Sequence, residues 1–153
     1  MSNEINDQLV LISGLSATGK SAALRNVRNQ EKWFYLNTES GKRLPFKNDF
    51  KALKVTDPYQ VYEAFDVARE DKDNEGIIID TLTFLMDMYE TQYVINATNT
   101  QKAWGDFAQF YKVLMQEKVA SLGKPVIITA HVKEELDEKA QQMKTSVPVK
   151  GSL

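Results

Sequence analysis

The clearest chemical pattern in the sequence is an eight-residue match to G-x-x-x-x-G-K-[ST], formed by Gly14, Leu15, Ser16, Ala17, Thr18, Gly19, Lys20 and Ser21. The glycines allow the backbone to curl so that successive N–H groups point inward and form an anion-binding nest. A lysine at this position reaches the β- and γ-phosphates, and the serine hydroxyl is a magnesium ligand. The motif predicts that these eight residues bind the phosphates of a nucleotide such as ATP, that Lys20 offsets phosphate charge, and that Ser21 contacts Mg²⁺, while the preference between ATP and other nucleotides stays open.

Asp80 is the second candidate for this site, because it ends the apolar run Ile77-Ile78-Ile79. A strand that delivers one aspartate to the edge of a sheet is typical of the element that holds magnesium, through the serine or through water. The alternative is that Asp80 or Thr81 caps the next helix. The two roles are compatible, so we predict Asp80 as a metal residue beside Ser21.

Glu39 and His131 are the remaining candidates. Thr81, and not a glutamate, follows Asp80, so a carboxylate that activates water must come from elsewhere; Glu39 follows the second apolar strand. His131 follows Ile128-Thr129-Ala130 and could bond the γ-phosphate or the water. The alternatives are an exposed loop glutamate and a structural histidine. We predict catalytic roles for Glu39, Lys20 and His131.

Apolar strands alternate with helical patterns along the chain, which predicts an α/β fold with a mostly parallel sheet and helices on both faces. The carboxyl ends of parallel strands share one edge, where ligands bind. The run at residues 9–12 reads as a strand buried on both faces. The other predicted strands are 33–36, 52–55, 77–80 and 126–130, and the predicted helices begin near residues 20, 57, 84 and 104.

Length and composition favour a single globular domain over residues 1–153, with residues 133–146 as a flexible loop. The net charge of -2 gives no basic field over the whole protein, and the absence of cysteine excludes a disulfide, a thiolate zinc site or a cysteine nucleophile. The N-terminus does not resemble a signal peptide, and no apolar run is long enough for a membrane helix. We therefore expect a cytoplasmic protein that does not enter a membrane.

Several segments, in their order along the chain, resemble the phage-type RecA-like P-loop ATPases. These are AAA-labelled nucleotide-binding proteins of phage recombination modules, related to the Sak group of single-strand-annealing helpers. The resemblance covers nearly the whole chain and depends on the phosphate-binding motif, Thr38-Glu39-Ser40-Gly41, Ile78-Ile79-Asp80-Thr81-Leu82-Thr83, Trp104-Gly105-Asp106 and Ile128-Thr129-Ala130-His131-Val132.

This resemblance implies a RecA-like core in which the strand ending at His131 lies between the phosphate-loop strand and the Asp80 strand. It implies that Glu39 occupies the place of the catalytic glutamate and His131 that of a γ-phosphate sensor. It further implies a homo-oligomer, a ring or filament with ATP sites at subunit interfaces, acting on single-stranded DNA in the host cytoplasm. RecA-like folds usually continue through at least one more strand after this point, so with the sequence ending at Leu153 we expect C-terminal strands to be lacking.

Other functions remain open from the residues alone. A P-loop kinase of a small molecule or nucleotide shares the motif, although no arginine follows His131 to form a lid over the phosphates. A non-catalytic, nucleotide-dependent assembly protein is the third alternative. The basic stretch with Lys42, Arg43, Lys47, Lys51 and Lys54 fits either a DNA-backbone surface or an ordinary solvated face.

Overall fold

Five parallel strands form the central sheet in the computed structural model, which describes residues 8–14, 21–131, 133–137 and 142–146. Their order across the sheet is β1-β5-β4-β2-β3. The predicted mostly parallel α/β fold is confirmed, and so is the position of the strand ending at His131 between the other two. The strands are β1 (Leu9–Gly14), β2 (Trp33–Asn37), β3 (Lys51–Lys54), β4 (Gly76–Asp80) and β5 (Val126–His131).

The α-helices cover one face of this sheet. Their buried side chains, among them Phe65, Tyr89 and Phe107, pack against Leu36 and Ile79 of the strands. The stripe that begins at Trp104 belongs to this core, as its spacing indicates. The helices are α1 (Tyr59–Glu70), α2 (Leu82–Tyr89), α3 (Thr100–Val113) and α4 (Ala120–Leu122), with π-helical turns at Glu90–Val94 and Leu114–Val119.

The opposite face is covered by two short 3₁₀ helices, Ser21–Asn26 and Gln30–Lys32, and by the loop that joins β2 to β3. The helix predicted to begin near residue 20 is therefore a 3₁₀ helix that ends at Asn26, so an ordinary α-helix at this position is wrong. The N–H of Val27 bonds to the carbonyl of Leu24, which is 3₁₀ spacing, and Asn29 has a left-handed backbone at φ 55°. These contacts end the helical segment before β2 begins.

Strand β1 lies at the edge of the sheet, so the prediction that it is buried on both faces is wrong. Among the strands that the structure describes, it pairs with β5 alone. Leu9, Val10 and Leu11 are 38%, 49% and 54% exposed. A short apolar run does not distinguish a central strand from an edge strand, because both carry β-branched and aliphatic residues.

Residues 133–146, predicted as a flexible loop, include two antiparallel strands, β6 (Lys133–Asp137) and β7 (Gln142–Ser146). They form a separate two-stranded sheet in which Lys133 pairs with Ser146 and Asp137 with Gln142. The flexibility of this segment remains a prediction, as does the single-domain assignment.

No helix within the described ranges has the length and apolar character needed to cross a membrane.

Candidate nucleotide-binding site

The carboxylate of Asp80 is the centre of the polar cluster at the carboxyl edge of the sheet. Asp80 is the last residue of β4 and is 5% exposed. Its Oδ2 accepts hydrogen bonds from Ser21 Oγ at 3.0 Å and from the Tyr35 hydroxyl at 2.5 Å. Its Oδ1 accepts one from Thr129 Oγ1 at 2.7 Å. Three hydroxyl groups from three other segments therefore fix the orientation of this buried carboxylate.

The contact between Ser21 and Asp80 joins two of the predicted site residues. Ser21 begins the 3₁₀ helix that follows the phosphate motif, and β5 separates β1 from β4 in the sheet. Neighbouring ligands of an octahedral Mg²⁺, bound at 2.0–2.1 Å, lie about 2.9 Å apart. The 3.0 Å separation of Ser21 Oγ and Asp80 Oδ2 is close to this value, and both are oxygen ligands. The two side chains therefore fit a magnesium ion.

The rest of the phosphate motif is described only in part. Gly14 is the last residue of β1 and lies opposite His131 in the parallel register. The predicted phosphate-binding residues between Gly14 and Ser21 lie outside the described residues: Leu15, Ser16, Ala17, Thr18, Gly19 and Lys20.

Glu39 lies just beyond β2, at the same edge of the sheet. The hydroxyl of Thr38 accepts a hydrogen bond from Thr81 N and donates one to Thr81 O, both at 2.8 Å, so the ends of β2 and β4 are tied together. The Glu39 carboxylate forms an ion pair with Lys42 at 3.2 Å, and its side chain is 24% exposed. Glu39 is thus held near the Asp80 cluster, with its carboxylate directed to a lysine.

His131 ends β5 and is half-buried. Its backbone N–H donates to Thr83 Oγ1 at 2.9 Å, and its ring lies edge-to-face on Phe84, with ring centres 5.2 Å apart. The predicted sensor histidine therefore contacts the first turn of α2, which follows Asp80 directly.

Of the two candidates, Thr81 and not Asp80 is the N-terminal cap of helix α2. Its hydroxyl accepts a hydrogen bond from Phe84 N at 3.1 Å at the start of α2. The peptide bond between Asp80 and Thr81 is cis. Because Thr81 caps the helix, the Asp80 carboxylate is available to the cluster around Ser21.

Tyr35 is a site residue that the sequence analysis missed. It is 6% exposed and stacks on Phe50, with ring centres 5.7 Å apart. Burial raises its pKa well above the ordinary value, and the nearby carboxylates of Asp80 and Glu39 raise it further. The hydroxyl therefore stays protonated and donates to Asp80. The only signal in the sequence was that a tyrosine in an apolar strand is expected to be buried, and that a buried tyrosine hydroxyl needs a hydrogen-bond partner.

An apolar groove of about 350 Å³ lies away from this cluster, between α1 and the edge strand β3. Phe34, Leu36 and Leu53 line it from the sheet, and Ala64 and Val67 line it from the helix. The described site residues Gly14, Ser21, Glu39, Asp80 and His131 do not line this groove.

A comparison with protein families assigns the chain to a family. The family model described as an AAA domain matches residues 6–152, a range that includes the phosphate motif, Asp80 and His131. No curated protein matched the chain in a sequence search. Since the match covers nearly the whole chain, the protein belongs to the AAA domain family, a family of nucleotide-binding P-loop ATPases.

Proposed function

We propose that this protein is a Mg²⁺-dependent ATP hydrolase of the RecA-like type, which acts on single-stranded DNA in phage DNA recombination. The observation that carries the proposal is the 3.0 Å hydrogen bond between Ser21 Oγ and Asp80 Oδ2. It brings the hydroxyl at the end of the phosphate motif to the carboxylate at the end of β4, across the intervening β5. That arrangement suits a metal ion that also contacts nucleotide phosphates.

Each residue of the proposed site has one role. The motif holds the triphosphate, and Lys20 offsets the charge that develops on the transferred group. Ser21 and Asp80 hold Mg²⁺, which supplies further charge neutralisation when bound. Glu39 orients a water molecule and accepts a proton from it, while the water oxygen bonds to the γ-phosphorus and the bond to the β–γ bridging oxygen breaks. The products are ADP and phosphate, and His131 bonds the γ-phosphate before cleavage.

The DNA and assembly parts of the proposal rest on the family resemblance, supported by the strand order β1-β5-β4. RecA-like proteins assemble with ATP sites at subunit interfaces, so we expect ATP to increase the solution mass. We also expect single-stranded DNA to raise the turnover rate. If DNA changes neither the rate nor the mass, the recombinase proposal fails even if hydrolysis itself is observed.

The second candidate is a nucleotide-dependent assembly protein that does not hydrolyse ATP. The ion pair of Glu39 with Lys42 favours it, because the carboxylate is already engaged by an ammonium group. Analysis of the products distinguishes the alternatives. Release of ADP and phosphate supports the hydrolase, phosphate on a second molecule supports a kinase, and ATP that stays intact supports the assembly protein.

Two substitutions test the roles of the site residues. We expect Lys20→Ala to abolish ATP binding, because the phosphates lose their main cationic partner.

We expect Glu39→Gln to bind ATP as the wild type does and to lose about 100-fold in turnover, since the amide cannot accept a proton. Isothermal titration and phosphate release measure the two effects.

Glu70→Gln is the control for Glu39→Gln, because the Glu70 side chain is 82% exposed at the end of α1 and takes no part in the site. We expect its turnover to match that of the wild type. Full turnover in Glu39→Gln would remove Glu39 as the catalytic carboxylate, and retained ATP affinity in Lys20→Ala would contradict the phosphate site.

A further inference from the structure

Positive charge is concentrated in one part of the sequence. Residues 21–54 contain eight Lys and Arg against three Asp and Glu, whereas residues 55–131 contain six against twelve. The net charge of -2 conceals this separation. Segregated charge of this kind creates a local field that attracts a partner of the opposite sign.

The fold places most of this charge on one face of the sheet. The 3₁₀ helices and the β2–β3 loop cover the face opposite to α1, α2 and α3. Lys54 pairs with Asn37 in the parallel register, so both side chains project on the face that carries Tyr35. We define the basic face by its exposed residues, Arg25, Arg28, Lys42, Arg43, Lys47 and Lys54.

The loop of this face is fixed at four points. The amide of Asn37 donates to the carbonyl of Lys42 at 2.9 Å, and the N–H of Asp49 donates to Gln30 Oε1 at 3.0 Å. The Arg25 guanidinium lies 5.6 Å from the centre of the Phe46 ring. Phe50, where the loop ends, stacks on Tyr35. Its basic side chains are therefore presented from an ordered backbone.

Most of these cations have no carboxylate partner in the described part of the chain. Lys42 pairs with Glu39 at 3.2 Å, and Arg25 lies over Phe46. Arg28, Arg43, Lys47 and Lys54 make no ion pair with a described residue. Four exposed cations without an ion-pair partner among the described residues, together with a half-buried aromatic ring, suit an extended chain of phosphates better than a compact anion.

We infer that the basic face is the surface that binds single-stranded DNA in this protein. This inference rests on the proposed function for the identity of the polyanion, while the position of the surface comes from the charges. The part of the face in the β2–β3 loop begins at Lys42, three residues after Glu39, and Lys42 also forms the ion pair with Glu39. DNA bound there contacts the loop that carries the proposed catalytic carboxylate, which gives a direct route from DNA binding to turnover.

The test combines three substitutions, Arg43→Gln, Lys47→Gln and Lys54→Gln. Lys42 stays unchanged because it pairs with Glu39. The probe is fluorescein-labelled oligo(dT) of about 30 nucleotides, and its anisotropy gives the affinity between about 50 and 200 mM salt. Removing three phosphate contacts weakens binding by about 10- to 100-fold near 100 mM salt and reduces the salt slope by about 2. Turnover without DNA stays unchanged.

The matched control removes the same charge elsewhere, through Lys72→Gln, Lys102→Gln and Lys112→Gln. These lysines are exposed on the turn after α1 and on α3. We expect the control to bind DNA with nearly the affinity of the wild type. Lys47→Glu alone gives a second measurement at an exposed loop position, with an affinity loss of about tenfold expected from one contact removed and one repulsion added.

The outcomes separate this inference from the proposed function. One outcome is that the triple variant at Arg43, Lys47 and Lys54 binds DNA as well as the wild type does. In that case the basic face is not the DNA-binding surface, although the protein still binds DNA. If the control loses as much affinity as that variant, the effect is one of net charge and the inference also fails. If the wild type does not bind DNA at about 50 mM salt, the DNA part of the proposed function fails together with the inference.

Discussion

At the scale of single residues, the Asp80 carboxylate shows how a buried charge is stabilised in this fold. A carboxylate that is 5% exposed loses most of its hydration, and hydrogen-bond donors must compensate for that loss. Ser21, Tyr35 and Thr129 supply three hydroxyl donors. The Tyr35 ring is buried and stacked on Phe50, which holds its hydroxyl in place. We therefore assign to Tyr35 the role of positioning the Asp80 carboxylate.

Replacing the tyrosine hydroxyl measures this contribution. We expect Tyr35→Phe to lower the free energy of unfolding by about 1.5–3 kcal/mol, because the lost hydrogen bond has a carboxylate acceptor. Tyr62→Phe is the comparison, since Tyr62 donates to the neutral carbonyl of Phe110 at 2.8 Å. Its expected loss is about 1 kcal/mol. Urea unfolding at neutral pH measures both, and an equal loss in the two variants would contradict the special role of Tyr35.

The same cluster shows which site residues could be predicted from the sequence. Ser21 and Asp80 were recognisable because each belongs to a short local pattern, and the structure brings their side chains together. Tyr35 and Thr129 contact Asp80 from 45 and 49 residues away, in strands whose apolar composition indicates only a core. A contact between distant strands depends on their order and register, which local patterns do not contain.

At the scale of secondary-structure elements, the start of β4 is a point of close packing. A Cβ atom on Gly76 would lie 2.5 Å from the Trp33 ring and 2.7 Å from the carbonyl oxygen of Pro125. Trp33 is opposite Gly76 in the register of β2 and β4. The glycine therefore lets the tryptophan fill the space between neighbouring strands, and this contact fixes the alignment that places Asn37 opposite Asp80.

Two glycine substitutions are expected to have opposite effects. Gly76→Ala should lower the free energy of unfolding by about 1–3 kcal/mol, because the ring and a backbone carbonyl must move. Gly105→Ala should raise it by about 0.5–1 kcal/mol, since Gly105 is exposed within α3 and has nothing within 4 Å of its Cβ position. Denaturant unfolding measures both. A neutral Gly76→Ala would show that the strand contact is looser than described.

A strand could be predicted from the sequence where its pattern of apolar residues matches the burial of those residues in the fold. Ile77, Ile78 and Ile79 are completely buried, so a continuous apolar run correctly indicated a central strand. The apolar run of β1 looks the same in the sequence, yet it lies at the edge of the sheet with Val10 and Leu11 about half exposed. The difference comes from the number of neighbouring strands, which is a property of the whole sheet.

At the scale of the whole molecule, the two sides of the sheet have different chemistry. One side carries the α-helices and a layer of tyrosines, and the other carries the basic face. The two sides meet the carboxyl edge of the sheet near Glu39 and Lys42, which form an ion pair. Nucleotide at that edge and a polyanion on the basic face would therefore both act on this one ion pair.

The tyrosines also determine how stability depends on pH. Burial raises the pKa of Tyr35, Tyr62 and Tyr89 above the ordinary value of 10.0. A hydrogen bond to the Asp57 carboxylate is the main cause that raises the pKa of Tyr93 to about 12. Each group binds its proton more tightly in the folded state than in the unfolded state. Their contribution to stability is complete below pH 10 and is lost as the pH rises above it.

We expect the free energy of unfolding in urea to fall as the pH rises from about 10 to 12, because tyrosines ionise in the unfolded chain first. Tyr93→Phe should make this fall less steep, since it removes a hydroxyl that donates to Asp57 Oδ2 at 2.7 Å. Tyr111→Phe is the control, because no described residue accepts a hydrogen bond from its hydroxyl. If Tyr93→Phe follows the wild-type pH curve, the hydrogen bond to Asp57 does not hold the proton on Tyr93, and the alkaline loss of stability must come from the buried tyrosines alone.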